Sequence, residues 1–428
     1  MRVVVAGGGI GGLALAQGLH HNGIEVVVHD RDPRPECTGG YRLHLDDGAR
    51  SALARLLPPP VLQAVLASAG GGTAFHRFTV TDHRLRALTT QTLPAGDRLM
   101  IGRIPLRTLL AHDLDVRWGS SYTGHTTIPD GRVRAEFIGG PEIGDVLVGA
   151  DGAGSALARA LAGRPLSAPT GIEGLAGRIP LDDDLRGLLP DALRHGPLLA
   201  LGPGGLGLFL SVHDPASSPV AASSCTAPPA MVEPASLVCG PMLPAARFPV
   251  DPRGSDGPDL VALTGELLRG WHPDLCELAG HIDPASTAHF RFLAADPDAD
   301  PTPWPVGRVT ALGDAVHAMP PTGGRGAATA IRDADVLARE LVRARDGATT
   351  VPLALLTYQR EMAAYGPAAV GESLVPLTWL RRLAGRTGTA ALHAAGAAAG
   401  LRARACRPWR DGAPPRLRTG RSRTARPA

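Results

Sequence analysis

The sequence predicts an α/β fold: a Rossmann-like domain interrupted by a sheet-rich insertion and followed by a helical C-terminal segment. Three observations carry this prediction. Residues 3–30 read as strand, glycine turn, helix and strand. From about residue 166 to 295 Gly, Pro and Ser rise, and the first style returns near Arg308 with VTALGDAVH. Residues 352–400 are Ala-rich and largely helical in pattern.

The elements follow in order. VVVA (3–6) starts a β-branched strand, Gly7 to Gly12 turn, and Leu13 to His21 form a helix that Asn22-Gly23 ends. IEVVVHD (24–30) is the second strand. A helix over 47–57 stops at Pro58-Pro59-Pro60. Alternation over 73–92 predicts strands, 105–112 a helix, and 115–149 several strands ending in DVLVGAD. In the insertion, 198–212 reads as strands, 211–230 as a loop or weak hairpin, and 261–271 as a helix. One or two helices are expected there in all, and a long helix over 323–345.

Composition excludes several chemistries. All 43 basic residues are Arg, so no Schiff-base, P-loop or other catalytic lysine exists. The five cysteines (Cys37, Cys225, Cys239, Cys276, Cys406) form no CxxC pair, so neither a disulfide framework nor a metal site is expected. Of the formal net charge of +3, residues 402–428 supply +8 and the rest −5. The tail mixes Pro, Gly and Arg without periodicity and reads as disordered. No segment suits a membrane span, and nucleic acid is not an expected partner.

The first motif is Gly7-Gly8-Gly9-Ile10-Gly11-Gly12, a GxGxxG. Gly7 permits the turn, Gly9 lets a pyrophosphate approach the backbone, and Gly12 lets helix and strand close up. The phosphate would sit on the helix N-terminus. Asp30, 21 residues after Gly9 at the end of the second strand, is placed to accept ribose hydroxyls. The stretch also resembles a secretory signal, with Arg2, an apolar run and Ala14-Leu15-Ala16. Five glycines among residues 7–12 are poor material for a signal's helix, so a cytoplasmic dinucleotide enzyme is expected instead.

Two later stretches, LVGADGAGS (147–155) and LGDAVHAMPPTGGRGAATAIRDA (312–334), complete a spaced set. The set resembles the single-component FAD monooxygenases of the p-hydroxybenzoate hydroxylase type, the group A flavoprotein aromatic hydroxylases. The resemblance spans residues 3–335. It implies an FAD-binding domain over 1–72, 99–165 and 296–350 and an inserted substrate domain over 73–98 and 166–295. A C-terminal helical segment (351–400) and the basic tail (401–428) follow.

The resemblance also implies roles. Asp314, beside Gly313, would hold the FAD ribityl chain. Pro320 and Pro321 would stiffen the wall beside the ring. Free N–H groups near Gly323, Gly324, Gly326 and Ala327 would face the flavin pyrimidine edge, where reduced flavin carries negative charge. Arg31, Arg42 and Arg103 would lie near FAD, and Asp151-Gly152 would touch FAD and NAD(P)H. His317 reads as structural. Two departures stand out: Arg159 falls one place later than the family's Arg, and Ala328 replaces a frequent Asn.

The implied activity is FAD-dependent monooxygenation: NAD(P)H reduces FAD, O2 adds, and a flavin hydroperoxide hydroxylates or epoxidises an organic substrate, here a secondary-metabolite intermediate. The alternative is an FAD-binding cyclase or isomerase that turns over neither NAD(P)H nor O2. No catalytic residue is singled out; His213, Asp214, His272, His281 and Asp283 are the available candidates for a substrate base. Only 16 residues are aromatic, which favours an aliphatic or polycyclic substrate over a stacked small phenol. The oligomeric expectation is a monomer or homodimer.

Overall fold

The computed structural model describes residues 1–39, 42–71, 76–93, 98–215, 218 and 220–405. A five-stranded parallel sheet is its spine, in the order Val309–Ala311, Val146–Gly149, Arg2–Ala6, Glu25–Asp30, Val116–Trp118. Its central strands are buried on both faces, as runs such as VVVA and VLVG require. The helices Ile10–His21 and Gly326–Arg345 pack together on one face. Gly11 and Gly18 lie on the same side of the first helix, against Ala330 and Ala338 of the second. A Cβ at either glycine would press on these alanines, so the seam is set by small residues on both helices. A three-stranded antiparallel sheet (Tyr122–Thr127, Val133–Phe137, Gly140–Gly144) backs the other face through Phe137, Val133 and Ala135.

A seven-stranded sheet draws on both inserted stretches. Its order is Ala288–Ala295, Ser167–Pro180, Ser236–Pro244, Gly207–His213, Leu198–Leu201, Arg77–Asp82, Ala87–Thr92. One face is covered by helices Gly257–Leu267 and Pro273–Gly280, through Leu268, Trp271, Leu275 and Leu278. Part of the other is covered by helices Gly366–Leu383 and Arg386–Ala405, through Leu377, Leu380 and Leu392. A small sheet of Arg42–Leu45, Leu99–Gly102 and Gly70–Gly71 stands beside the spine.

Some sequence expectations change. Pro58-Pro59-Pro60 ends one helix, Asp47–Leu56, and also starts another, Pro59–Ser68, because proline suits a helix's first turn. The helix expected over 261–271 begins earlier, where Asp256 accepts from the Asp259 N–H at 3.0 Å. Among the described residues three α-helices, not one or two, belong to the insertion once Asp183–Leu188 is included. The last helix runs to Ala405, so residues 401–405 are helical rather than part of a disordered tail; residues 406–428 lie outside the described residues. No helix among the described residues is long and apolar enough to cross a membrane.

Candidate active site

The glycine turn is held by backbone contacts. Gly7 sits at φ +120°, and a Cβ there would meet the Ala150 carbonyl, which brings the Asp-Gly motif against the turn. Gly12 lies against the Gly7 carbonyl. The helix that follows starts at Ile10 with Gly9 as N-cap, no side-chain cap and no acid in its first turn. Its first N–H groups and the positive end of its dipole are therefore unclaimed by side chains. A Cβ at Gly9 would have only the Ala150 oxygen near it, at 3.9 Å, so the lip over this helix end is open.

Asp30 stands at the strand end as expected, with much of its capacity already engaged. It accepts the Gly8 N–H at 2.5 Å and the Asp32 N–H at 2.8 Å. Arg107 lies 3.0 Å from Asp30 Oδ1, the oxygen that accepts from Asp32; it donates to the Gly8 carbonyl at 2.7 Å and pairs with Asp32 at 2.6 Å. Sequence reading missed Arg107. Its one signal is the position four residues after Arg103 on the same short helix, Arg103–Leu110. Arg31 is exposed at the same rim.

The Gly-Asp motif forms the second wall. Gly313, at φ +63°, donates to Asp333 at 2.8 Å; few other residues adopt that backbone. The same carboxylate faces His317 Nε2 at 2.6 Å and accepts from the Tyr365 hydroxyl at 2.7 Å. Burial alone would lower the His317 pKa; the charge of Asp333 and its hydrogen bond outweigh this and raise it. Asp314 has an accessible side chain, yet surrounding protein raises its carboxyl pKa through desolvation, while Arg103 and His317 oppose the shift. Both facts hold for a carboxyl at the floor of a cleft.

Pro321–Gly323 form a short turn, Gly324 lies 3.7 Å from His44 at its Cβ position, and the long helix starts at Gly326. That helix too lacks a side-chain cap and any acid in its first turn, with Ala327 in its opening turn. Burial, with help from Arg98, pushes the His44 imidazole down to about 4.

Two other expected site residues, Asp151 and Arg42, have partners within the protein. Asp151 accepts the Ala156 N–H at 2.8 Å and the Ser155 hydroxyl, so its carboxylate caps the helix Ala156–Ala162. Gly152, at φ +83°, has nothing within 4 Å of a Cβ position. Arg42 turns toward the insertion, pairing with Glu233 and donating to Ser236 Oγ at 2.9 Å. Of the five candidate bases, four have ordinary partners. Asp214 pairs with Arg186 at 2.9 Å, His272 and Asp283 cap turns, and His281 faces Glu277. His213 differs: it is 1 % exposed, and neither ring nitrogen has a hydrogen-bond partner among the described residues.

The two unclaimed helix ends, the open lip at Gly9 and the accessible Asp314 fit FAD: anion seats for pyrophosphate and pyrimidine edge, and an acceptor for ribityl hydroxyls. Comparison with known proteins agrees. Residues 291–373 match the FAD binding domain family model. The chain is 30% identical over 376 residues to the dual O-methyltransferase/FAD-dependent monooxygenase elcB of Phaeosphaeria nodorum, covering 79% of this chain and 40% of that one. It is 26% identical to the FAD-dependent urate hydroxylase of Mycolicibacterium vanbaalenii, over 84% of this chain and 83% of that one. The chain is similar over most of its length to FAD-dependent monooxygenases, and its fold is that of the p-hydroxybenzoate hydroxylase type.

Solved structures share the fold. A protein of Photorhabdus luminescens described as an FAD-containing monooxygenase superposes with a TM-score of 0.75 at 27% identity, covering 90% of this chain and 98% of that one. Klebsiella pneumoniae HpxO, solved with FAD and uric acid, superposes at 0.68 with 20% identity, covering 93% and 96%. The chain spans about two fifths of the length of the first curated relatives it matches.

Proposed function

We propose that this protein binds FAD in the cleft between the glycine turn and the Gly-Asp wall and uses NAD(P)H and O2 to hydroxylate or epoxidise a small organic substrate. One observation carries the reading: the accessible Asp314 lies 3.7 Å from the Cβ position of Gly326 at the start of one uncapped helix, and Leu312, two residues before it, packs on Gly11 at the start of the other. Bound there, FAD supplies the redox and oxygen chemistry. The chain's own residues supply the rest. The Ile10 helix end and the open lip at Gly9 seat the pyrophosphate. Asp30, oriented by Arg107, offers its remaining acceptor capacity to the adenosine ribose. Asp314 accepts ribityl hydroxyls, and Arg103 offsets its charge. The Gly326 helix end favours negative charge at the pyrimidine edge. The substrate lies between this cleft and the seven-stranded sheet, where burial keeps out water.

The test is direct. Purified protein reconstituted with FAD is expected to be yellow and to oxidise NAD(P)H faster when a polycyclic or aliphatic substrate is added. Labelled dioxygen should leave one atom in the product. Product formation without NAD(P)H and O2 would overturn the monooxygenase reading in favour of the cyclase or isomerase. A protein that cannot be loaded with FAD would overturn both.

A further inference from the structure

The face of the seven-stranded sheet beside Arg42 carries an unusual set of polar groups. In the antiparallel register Arg178, Val238 and Ser211 form one cross-strand row, and Ser236 stands opposite His213 in the next. Directly opposed residues share a face, so these side chains look the same way. Arg42 enters from the small sheet and donates to Ser236. Its guanidinium also pairs with Glu233, whose other carboxylate oxygen accepts from Arg178 at 3.0 Å. The Arg42 side chain is 4% exposed, and its Nε has no partner among the described residues.

Two arginines on one carboxylate, one of them oriented by the Ser236 hydroxyl, make a carboxylate receptor. Here the occupant is the chain's own Glu233. Beside it, Ser211 and His213 are 2% and 1% exposed, and neither the hydroxyl nor either ring nitrogen has a partner among the described residues. Buried polar groups are normally paired, so such a cluster points to a ligand. Burial, then the nearby charge of Arg42, pushes the His213 imidazole down to about 4, which keeps it neutral at neutral pH. Next along the same face, Gly240 is buried. The three atoms nearest its Cβ position all belong to its own sheet neighbours, the nearest at 3.4 Å, so a side chain has room there.

We propose that Glu233 is a built-in specificity residue: it fills the Arg42–Arg178 seat, turns away anionic substrates, and leaves Ser211 and His213 to anchor an uncharged hydroxyl or carbonyl group. The inference rests on the substrate lying against this sheet face, as the proposed function has it. It narrows the substrate class to neutral molecules with a hydrogen-bonding oxygen.

The test uses matched probes, 2-naphthol and 2-naphthoate, on the full chain, with melting temperature and probe fluorescence as readouts. These need no turnover and are read with and without FAD, so a protein that fails to take up flavin is scored separately. Wild type is expected to bind 2-naphthol more tightly than 2-naphthoate. Glu233→Ala should reverse the order, with 2-naphthoate gaining roughly tenfold or more, the scale of one charge-assisted pair. Acetate should restore its melting temperature and acetamide should not. Glu233→Gln, close to isosteric, serves in its place if the alanine variant does not fold. His213→Leu should weaken 2-naphthol alone. A wild type that prefers the acid, or folded Glu233 variants that gain no affinity for carboxylates, would overturn the proposal.

Discussion

His317 and His213 are both 1% exposed, and their surroundings could hardly differ more. His317 shares Asp333 with the Gly313 N–H and the Tyr365 hydroxyl, and its pKa is raised. His213 faces no acceptor or donor among the described residues, and its pKa falls. The first network is closed at Asp333, whose carboxylate takes all three donors and fixes the shape of the Gly-Asp wall, although His317 Nδ1 on the far side of the ring has no partner among the described residues. The second is open and has hydrogen-bonding capacity left for something else. A buried carboxylate with its donors in place marks scaffold, whereas a histidine with both ring nitrogens unpaired beside an unpaired hydroxyl marks a place where a ligand completes the structure.

The largest expected effect tests the closed network. Asp333→Ala strands three donors in the interior and should cost about 3–5 kcal/mol, with loss of flavin retention. Denaturant unfolding and bound-flavin absorbance measure it; a change below about 1 kcal/mol would break the comparison.

The next effect is the opposite pH response of the two histidines. His213 is neutral when folded down to about pH 4, while the unfolded chain takes up its proton near 6.5. Stability should therefore fall as pH drops from 6.5 towards 4 and level off below. His213→Leu should remove a share on the order of 3 kcal/mol of that loss. The His317 pairing has the reverse sign: its contribution is full below 6.5 and is lost as pH rises through its raised folded pKa. Unfolding curves measured across this pH range for wild type and His213→Leu separate the two limbs.

At pH 8 the difference shrinks. His213→Leu is expected to leave stability unchanged or raise it by about 1 kcal/mol, because an unpaired buried polar group gives way to an apolar one. A loss of more than about 2 kcal/mol in the same unfolding assay would mean that His213 has a structural partner after all. Ser211→Ala, smaller still, should change stability by no more than about 0.5 kcal/mol while weakening 2-naphthol in a fluorescence titration.

The same contrast explains what was legible in the sequence. The parallel spine and the glycine turn announce themselves locally, through the Val runs at 3–5 and 26–28 and the phasing of Gly7, Gly9 and Gly12. Asp314 and Gly313 are read from one contiguous string. Arg107, and the bond from Asp151 to the Ala156 N–H, are not legible because such work depends on which backbone groups come near, and residue type does not reveal that. The Glu233 seat has no local signature. It needs Arg42 from one sheet, Arg178 and Ser236 from two strands of another, and a register that sets Ser236 opposite His213. The proline triplet misleads for a different reason: proline forbids helix interiors but welcomes helix starts.

The seam of Gly11 and Gly18 against Ala330 and Ala338 has a consequence for how the molecule is made. The first turn leaves the ribosome long before the helix that buries it, and the spine's edge strand Val309–Ala311 also arrives late. Until some three hundred further residues have been synthesised, the opening strand–turn–helix stays without its partner. Contacts this distant in sequence slow folding and leave apolar surface waiting. Flavin capture is thus tied to completion of the chain through the long helix, and a nascent chain stalled before it would be work for chaperones rather than a coenzyme-binding fragment.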